Sequence, residues 1–180
     1  MNFSTRRLVV EPLTVSHAEA LSGLMDARVN AHFASEDVPM SLAELRQQFG
    51  EAEAAAREGH GDAQFIPLVV KTEHDGRYIG RLEALVHGRD AEIAFVFIPE
   101  SWGYGYATEA TVALIGQLSG AGVARVWACV TPTNKPSLAL CKRLDFSKCE
   151  ARPDLDLATY DDGDTVLMLS LANEGQLSAR

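Results

Sequence analysis

The chain has no run of about 18 apolar residues, so no segment of it reads as a membrane-spanning helix. Met1 to Leu13 carries Arg6 and Arg7 but no apolar stretch long enough for a secretory signal, which predicts a cytoplasmic protein. Cysteine is scarce: Cys129, Cys141 and Cys149 form no C-x-x-C pair, and an odd number of them reads as reduced thiols. The five histidines (His17, His32, His60, His74 and His87) show no ligand spacing, so no metal is expected. Basic residues are also in deficit, 16 against 25 acidic ones, for a formal net charge of −9. That balance argues against direct nucleic-acid binding, which needs a clustered basic surface, and suits a cationic substrate through long-range attraction. Two phosphate-binding patterns are missing as well. There is no G-x-x-x-x-G-K-[ST], and no third glycine completes a G-x-G-x-x-G.

What is present is enough for one folded unit. The 180 residues, 47% of them hydrophobic, predict a single domain over 1–180 with one core. No internal repeat interrupts it. Arg7 to Leu13 reads as a first strand. Ser16 with Glu19 has the form of a capping box opening a helix with Leu21, Leu24 and Met25 on its apolar side. Ser41 with Glu44 repeats the form before a longer helix, whose Leu42, Leu45, Phe49, Ala52 and Ala56 recur at spacings of three and four. The glycines between Glu58 and Asp62 end it.

Strands follow. Phe65–Lys71 turns at Asp75-Gly76 into Tyr78–His87, and Gly88-Arg89-Asp90 turns that into Ala91–Ile98. Ala91–Ile98 is apolar almost throughout, which predicts a central strand covered on both faces. Pro99 stops it. A helix is expected over Tyr106–Leu118, a strand over Arg125–Val130 and a helix over Ser137–Leu144. Closing strands are expected near Phe146–Glu150 and Thr165–Leu171. The order predicts a mixed α/β fold: an antiparallel meander, then β-α-β crossovers.

The most informative stretch is Ile98-Pro99-Glu100-Ser101-Trp102-Gly103-Tyr104-Gly105-Tyr106-Ala107-Thr108-Glu109-Ala110. A buried strand ends, glycines permit a tight turn, and a helix begins. Glycine lets main-chain N–H groups approach a ligand without a Cβ between them. The first helical turn adds unpaired N–H groups and the positive end of the helix dipole. Together they make a phosphate site that needs no lysine cluster.

These residues resemble the acetyl-CoA signature of the GCN5-related N-acetyltransferase (GNAT) superfamily, Gln/Arg-x-x-Gly-x-Gly/Ala, with Trp102 at the Gln/Arg position. Within it, Trp-Gly-x-Gly-Tyr-Ala-Thr-Glu-Ala over Trp102–Ala110 is similar to the RimJ/RimL-like branch of ribosomal-protein alanine N-acetyltransferases. Asn134-x-x-Ser137, followed by Leu140, Leu144, Asp145 and Phe146, resembles the family's second block, with Asp145 where a glycine is usual. Aspartate tolerates the left-handed turn which that glycine normally takes. Thr5-x-Arg7-Leu8 and Asp164-Thr-Val-Leu-Met-Leu-Ser resemble the branch's first and last strands.

The resemblance implies a central, mostly antiparallel mixed sheet in which two parallel neighbours, Ala91–Ile98 and Arg125–Val130, splay apart. Acetyl-CoA is the implied co-substrate. Its pantetheine arm would bond to the main chain of Phe95, Val96 and Phe97. Its pyrophosphate would rest on the turn of Trp102, Gly103, Tyr104, Gly105, Tyr106, Ala107 and Thr108, while Asn134 would meet its amides. The Phe97 N–H is the expected oxyanion donor. Glu92 is the expected base and Glu83 the reserve.

Many family members carry a tyrosine seven residues after the asparagine, where this chain has Cys141. Ser137 is then the expected proton donor to the departing sulfur. Cys141 reads as packing, and Tyr160 as a more distant candidate. The acceptor would be a primary amine, on a protein N-terminus or a small molecule. It would be framed by residues 16–58, where His32 and Phe33 stand, and by the acidic loop Pro153–Gly163 with Asp154, Asp156, Asp161, Asp162 and nearby Asp164. A CoA-binding regulatory module without turnover is the alternative, and an enzyme acting on nucleotides or S-adenosylmethionine a further one. Monomer and dimer are both compatible with the sequence.

Overall fold

The computed structural model describes residues 1–31, 41–59, 62–150 and 157–171. Eight strands form one sheet: β1 (Phe3–Ser4), β2 (Leu8–Pro12), β3 (Ala63–Thr72), β4 (Tyr78–His87), β5 (Asp90–Phe97), β6 (Arg125–Val130), β7 (Ser147–Lys148) and β8 (Thr165–Ser170). Their order is β1-β2-β3-β4-β5-β6-β8-β7. Every neighbouring pair is antiparallel except β5 with β6. The chain therefore makes one parallel crossover where more than one was expected. It returns from β6 to β8 antiparallel, because the short strand β7 lies outside β8 rather than beside β6.

Among the described residues, four α-helices flank the sheet: α1 (Ala27–Asn30), α2 (Leu42–Glu58), α3 (Tyr106–Gly120) and α4 (Lys135–Arg143). Ser41 caps α2, its hydroxyl accepting the Glu44 N–H at 3.2 Å. Leu45 and Phe49 are fully buried from that helix, each contributing about 1.5–3 kcal/mol. Ala56, placed on the same stripe by its spacing, is exposed, so the buried stripe ends before the helix does. In α3, Ala110, Leu114 and Leu118 turn inward, whereas Val112 is exposed.

Residues 14–30 differ from the expected regular helix. Thr14, rather than Ser16, makes the first cap, and His17 Nδ1 accepts the Thr14 N–H at 3.0 Å. Three short helical pieces follow at Val15–His17, Ser22–Met25 and Ala27–Asn30. The carboxylate of Glu19 reaches Arg46 of α2 instead of closing a cap. Leu21 and Leu24 are buried as their apolar character predicts.

The two sheet faces are not equivalent. On β4, Gly80, Leu82 and Ala84 are buried, while the alternating Arg81, Glu83 and Leu85 are half-buried. The Arg81 guanidinium lies over the Phe49 ring at 5.9 Å, which places α2 on the Arg81 and Glu83 face. That partly open face carries the site.

Candidate functional site

The site begins where β5 and β6 part. Asp90 joins the two strands at their closed end, accepting from Arg125 Nε and Nη2, both at 2.6 Å, and from Trp127 Nε1 at 2.8 Å. Pairing then runs from Asp90↔Arg125 to Glu92↔Trp127 and stops. The residues beyond keep their β5 conformation without a β6 partner. Asp90 to Ile93 are accordingly buried, but Ala94 to Val96 are half-open, where full cover was expected.

Strand alternation fixes which main-chain groups face the gap. The Ile98 N–H donates to Ile79 O at 2.9 Å, so Ile98, Val96 and Ala94 turn their main chain to β4. Ile93, Phe95 and Phe97 turn theirs to the gap. Of the expected run Phe95 to Phe97, Val96 thus offers its side chain only, while Phe95 and Phe97 offer N–H groups. The Phe97 carbonyl accepts Trp102 Nε1 at 2.8 Å, which leaves its N–H as the group directed to the cleft. The Phe97 ring lies against Gly80, where a Cβ would come within 2.6 Å of Cδ1, so this contact needs glycine.

A cavity of about 250 Å³ occupies the gap, lined by Phe95, Val96, Phe97, Trp102, Asn134 and Ser137 among others. At one end the turn into α3 is built as its glycines predicted. Gly103 has φ 80° and Gly105 φ 78°, a region other L residues avoid. The first bond of α3 runs from the Glu109 N–H to Gly105 O at 3.0 Å. Among the described residues, no main-chain partner is found for the N–H groups of 103–108, so a row of donors surrounds the helix start.

Two arginines adjoin that row, and the sequence reading gave neither a role. Arg143 of α4 donates to Thr108 Oγ1 at 2.9 Å. Arg7 donates to Tyr104 O at 3.0 Å and stacks over the Tyr106 ring at 4.8 Å. Arg7 is held in turn by Glu109, whose carboxylate accepts Arg7 Nε at 2.6 Å, Arg7 N at 3.1 Å and Thr5 Oγ1 at 2.5 Å. Burial raises the Glu109 pKa, but the Thr5 and Arg7 bonds outweigh it and leave the group below its ordinary value. The signal was in the sequence: Arg7 and Glu109 both belong to quoted motifs, but their 102-residue separation hid the pairing.

The other end of the gap opens into a second cavity of about 370 Å³. Phe95, Asn134 and Ser137 line both cavities, so the two adjoin. The second is polar, with Glu83, Asp161 and Asp164 set against Arg81, which pairs with Glu83 at 3.1 Å. Asn134 caps α4, its Oδ1 accepting the Ser137 N–H at 3.1 Å. The Ser137 hydroxyl has no partner among the described residues. Cys129 lies on the wall, and its thiol is pushed up to about 12 by burial first and by the Glu92 charge second. Cys141 is 1% exposed and pushed up to about 11 by burial, a packing residue as expected.

Glu92, the expected base, does not line this cavity. Its carboxylate is 5% exposed as a residue and accepts the Ala158 N–H at 2.6 Å, the Thr159 N–H at 3.0 Å and the Thr159 hydroxyl. The reserve carboxylate, Glu83, is the one that faces the cavity. Tyr160 is exposed and Asp162 also lies on the surface. His32, Phe33, Asp154 and Asp156 fall outside the described residues. Among those described, no group of three or more His, Cys, Asp or Glu is placed to hold a metal, and no helix is long and apolar enough to cross a membrane.

Comparison with known proteins agrees with this geometry. Residues 7–147 match the family described as acetyltransferase (GNAT) domain. No curated protein matches the sequence. Among solved structures, the Salmonella typhimurium acetyl transferase that modifies the N-terminal serine of ribosomal protein L7/L12 is 16% identical, with a TM-score of 0.74 over 93% of this chain and 97% of that one. A RimL ribosomal L7/L12 acetyltransferase, solved with coenzyme A in a disulfide to one of its cysteines, is 17% identical, with a TM-score of 0.75 over 95% and 98%. The microcin C7 self-immunity acetyltransferase MccE, solved with acetyl-CoA and AMP, is 18% identical, with a TM-score of 0.70 over 93% and 94%. This chain belongs to the GNAT acetyltransferase family, an acyltransferase whose co-substrate is acetyl-CoA.

Proposed function

We propose that the protein moves the acetyl group of acetyl-CoA onto a primary amine, by direct attack of the amine through a tetrahedral intermediate. One observation carries this reading. A strand edge with unpaired N–H groups runs from a phosphate cradle on one side to a carboxylate-lined cavity on the other. The two cavities meet at Phe95, Asn134 and Ser137, where thioester and amine would be brought together.

In this reading the main chain of 103–108, with Trp102, Tyr104, Tyr106, Ala107 and Thr108, holds the pyrophosphate, and Arg7 and Arg143 add charge beside it. Phe95 bonds the pantetheine amides as a neighbouring strand would, and Val96 packs its side chain against it. Asn134 spends its Oδ1 on the helix cap, which leaves its amide nitrogen as the donor. The Phe97 N–H stabilises the developing oxyanion. Ser137, its hydroxyl free to donate, hydrogen-bonds the departing thiolate and stabilises its charge until it takes a proton from solvent.

Proton acceptance from the amine moves from Glu92 to Glu83. Three donors already occupy the Glu92 carboxylate, whereas Glu83 stands on the cavity wall. The acceptor is a cationic amine, either a protein N-terminus or a small molecule. The carboxylates of Glu83, Asp161 and Asp164 support that charge preference, and the ribosomal-protein acetyltransferases of the same fold support the N-terminal choice.

A thiol-release assay with acetyl-CoA over serine-initiated and alanine-initiated peptides, spermidine, an aminoglycoside and free amino acids tests the proposal. Turnover with at least one amine is expected. Coenzyme A binding with no turnover over the whole panel would instead mark a binding module without catalysis.

A further inference from the structure

Glu92 is a buried carboxylate that accepts three hydrogen bonds from Ala158 and Thr159, 66 and 67 positions along the chain. Burying a carboxylate costs free energy unless donors surround it. Here both N–H donors and the hydroxyl come from a single dipeptide, so the charge and the dipeptide stabilise each other. The strand holds Glu92 rigidly, at the last paired position of β5 beside Trp127. The dipeptide is less constrained. The other main-chain N–H bonds found in its segment are local: Tyr160 N–H to Leu157 O at 3.3 Å, Asp164 N–H to Asp161 O at 3.0 Å, and Asp161 N–H to Asp164 Oδ2 at 3.4 Å. Among the described residues, Glu92 accepts three hydrogen bonds from 157–164, and the Cys129 thiol of β6 also meets Thr159.

That same segment is one wall of the polar cavity. Ala158, Thr159, Asp161 and Asp164 line it opposite Glu83 and Ser137. We infer that Glu92 is a positioning residue: it latches 157–164 onto the sheet and so places Asp161 and Asp164 where they select a cationic acceptor amine. The role rests on the acetyltransferase reading above, and it differs from that of a base in kind. A base must reach the amine, whereas Glu92 acts through two backbone amides and a hydroxyl on the far side of the wall.

The two roles separate in Glu92→Gln, an isosteric change that sets an amide NH2 against N–H donors. Loss of a charged hydrogen-bond acceptor should speed amide exchange at Ala158 and Thr159 by about 10-fold or more, with β5 and β6 amides unchanged. The KM for spermidine should rise by about 10-fold, with kcat and the KM for acetyl-CoA within about 3-fold of wild type and the pH profile of kcat retained. Thr159→Val, which keeps the carboxylate and removes one donor, should move the same quantities in the same direction by about 3-fold, and it carries the test if the glutamine variant does not fold. Unchanged exchange at 158–159 in these variants overturns the latch. So does a fall in kcat with a lost pH limb and unchanged amine KM, which would return Glu92 to the base role. If the wild-type protein acetylates no amine in the panel, the functional reading fails, while the exchange data still decide whether Glu92 holds the segment.

Discussion

The two ends of the cleft are built from different material. The end proposed to take the coenzyme is main chain: N–H groups of 103–108 and of Phe95 and Phe97, with arginines at its margin. The end proposed to take the acceptor is side chain: Glu83 from β4, Cys129 from β6, Ser137 from α4 and two aspartates from 157–164. A main-chain site tolerates substitution as long as the backbone keeps its path. A side-chain site changes with every replacement along its walls. One fold can therefore keep one coenzyme and vary its amine.

The sharpest way to divide the two ends is Glu83→Gln. If Glu83 takes the proton, kcat falls by about 10²–10⁴-fold and loses its acid limb, while coenzyme A affinity measured by calorimetry stays at the wild-type value. Next in size is Gly105→Val at the other end. A β-branched residue at φ 78° is strained and its side chain intrudes on the donor row. The KM for acetyl-CoA should rise by about 100-fold, with spermidine KM little changed.

Smaller still is Glu109→Gln, which loosens Arg7 from the cradle. It should cost about 1–2 kcal/mol of stability at neutral pH, given partial solvent screening, and raise the acetyl-CoA KM several-fold. The pH dependence has a definite sign. The folded-state pKa of Glu109 lies below its ordinary value. Its stabilisation is thus present above the unfolded pKa and lost as pH falls through the folded one. Denaturant melts of wild type and variant should converge in acid and diverge toward neutrality.

The same contrast explains what the sequence disclosed. Gly103 and Gly105 announce a positive-φ turn locally, and Asp145 takes φ 62° where a glycine was the family habit. The bounds of Tyr78–His87 and Arg125–Val130 match their strands because turn residues flank both. The 14–30 segment was misread because His17 serves the cap that a glutamate usually does, a substitution invisible to spacing. The acceptor cavity was least legible. Glu83, Ser137 and Asp161 meet only after β4, α4 and the segment before β8 are assembled, and no local pattern distinguishes a carboxylate on a cavity wall from one turned to a loop.

The most direct measurement is an amide NMR titration of the full chain with coenzyme A. The account predicts that shifts concentrate at residues 103–108, Phe95 and Phe97, while Val96, whose N–H is committed to β4, moves far less. Saturation with shifts elsewhere, or no shifts along that row, would contradict it.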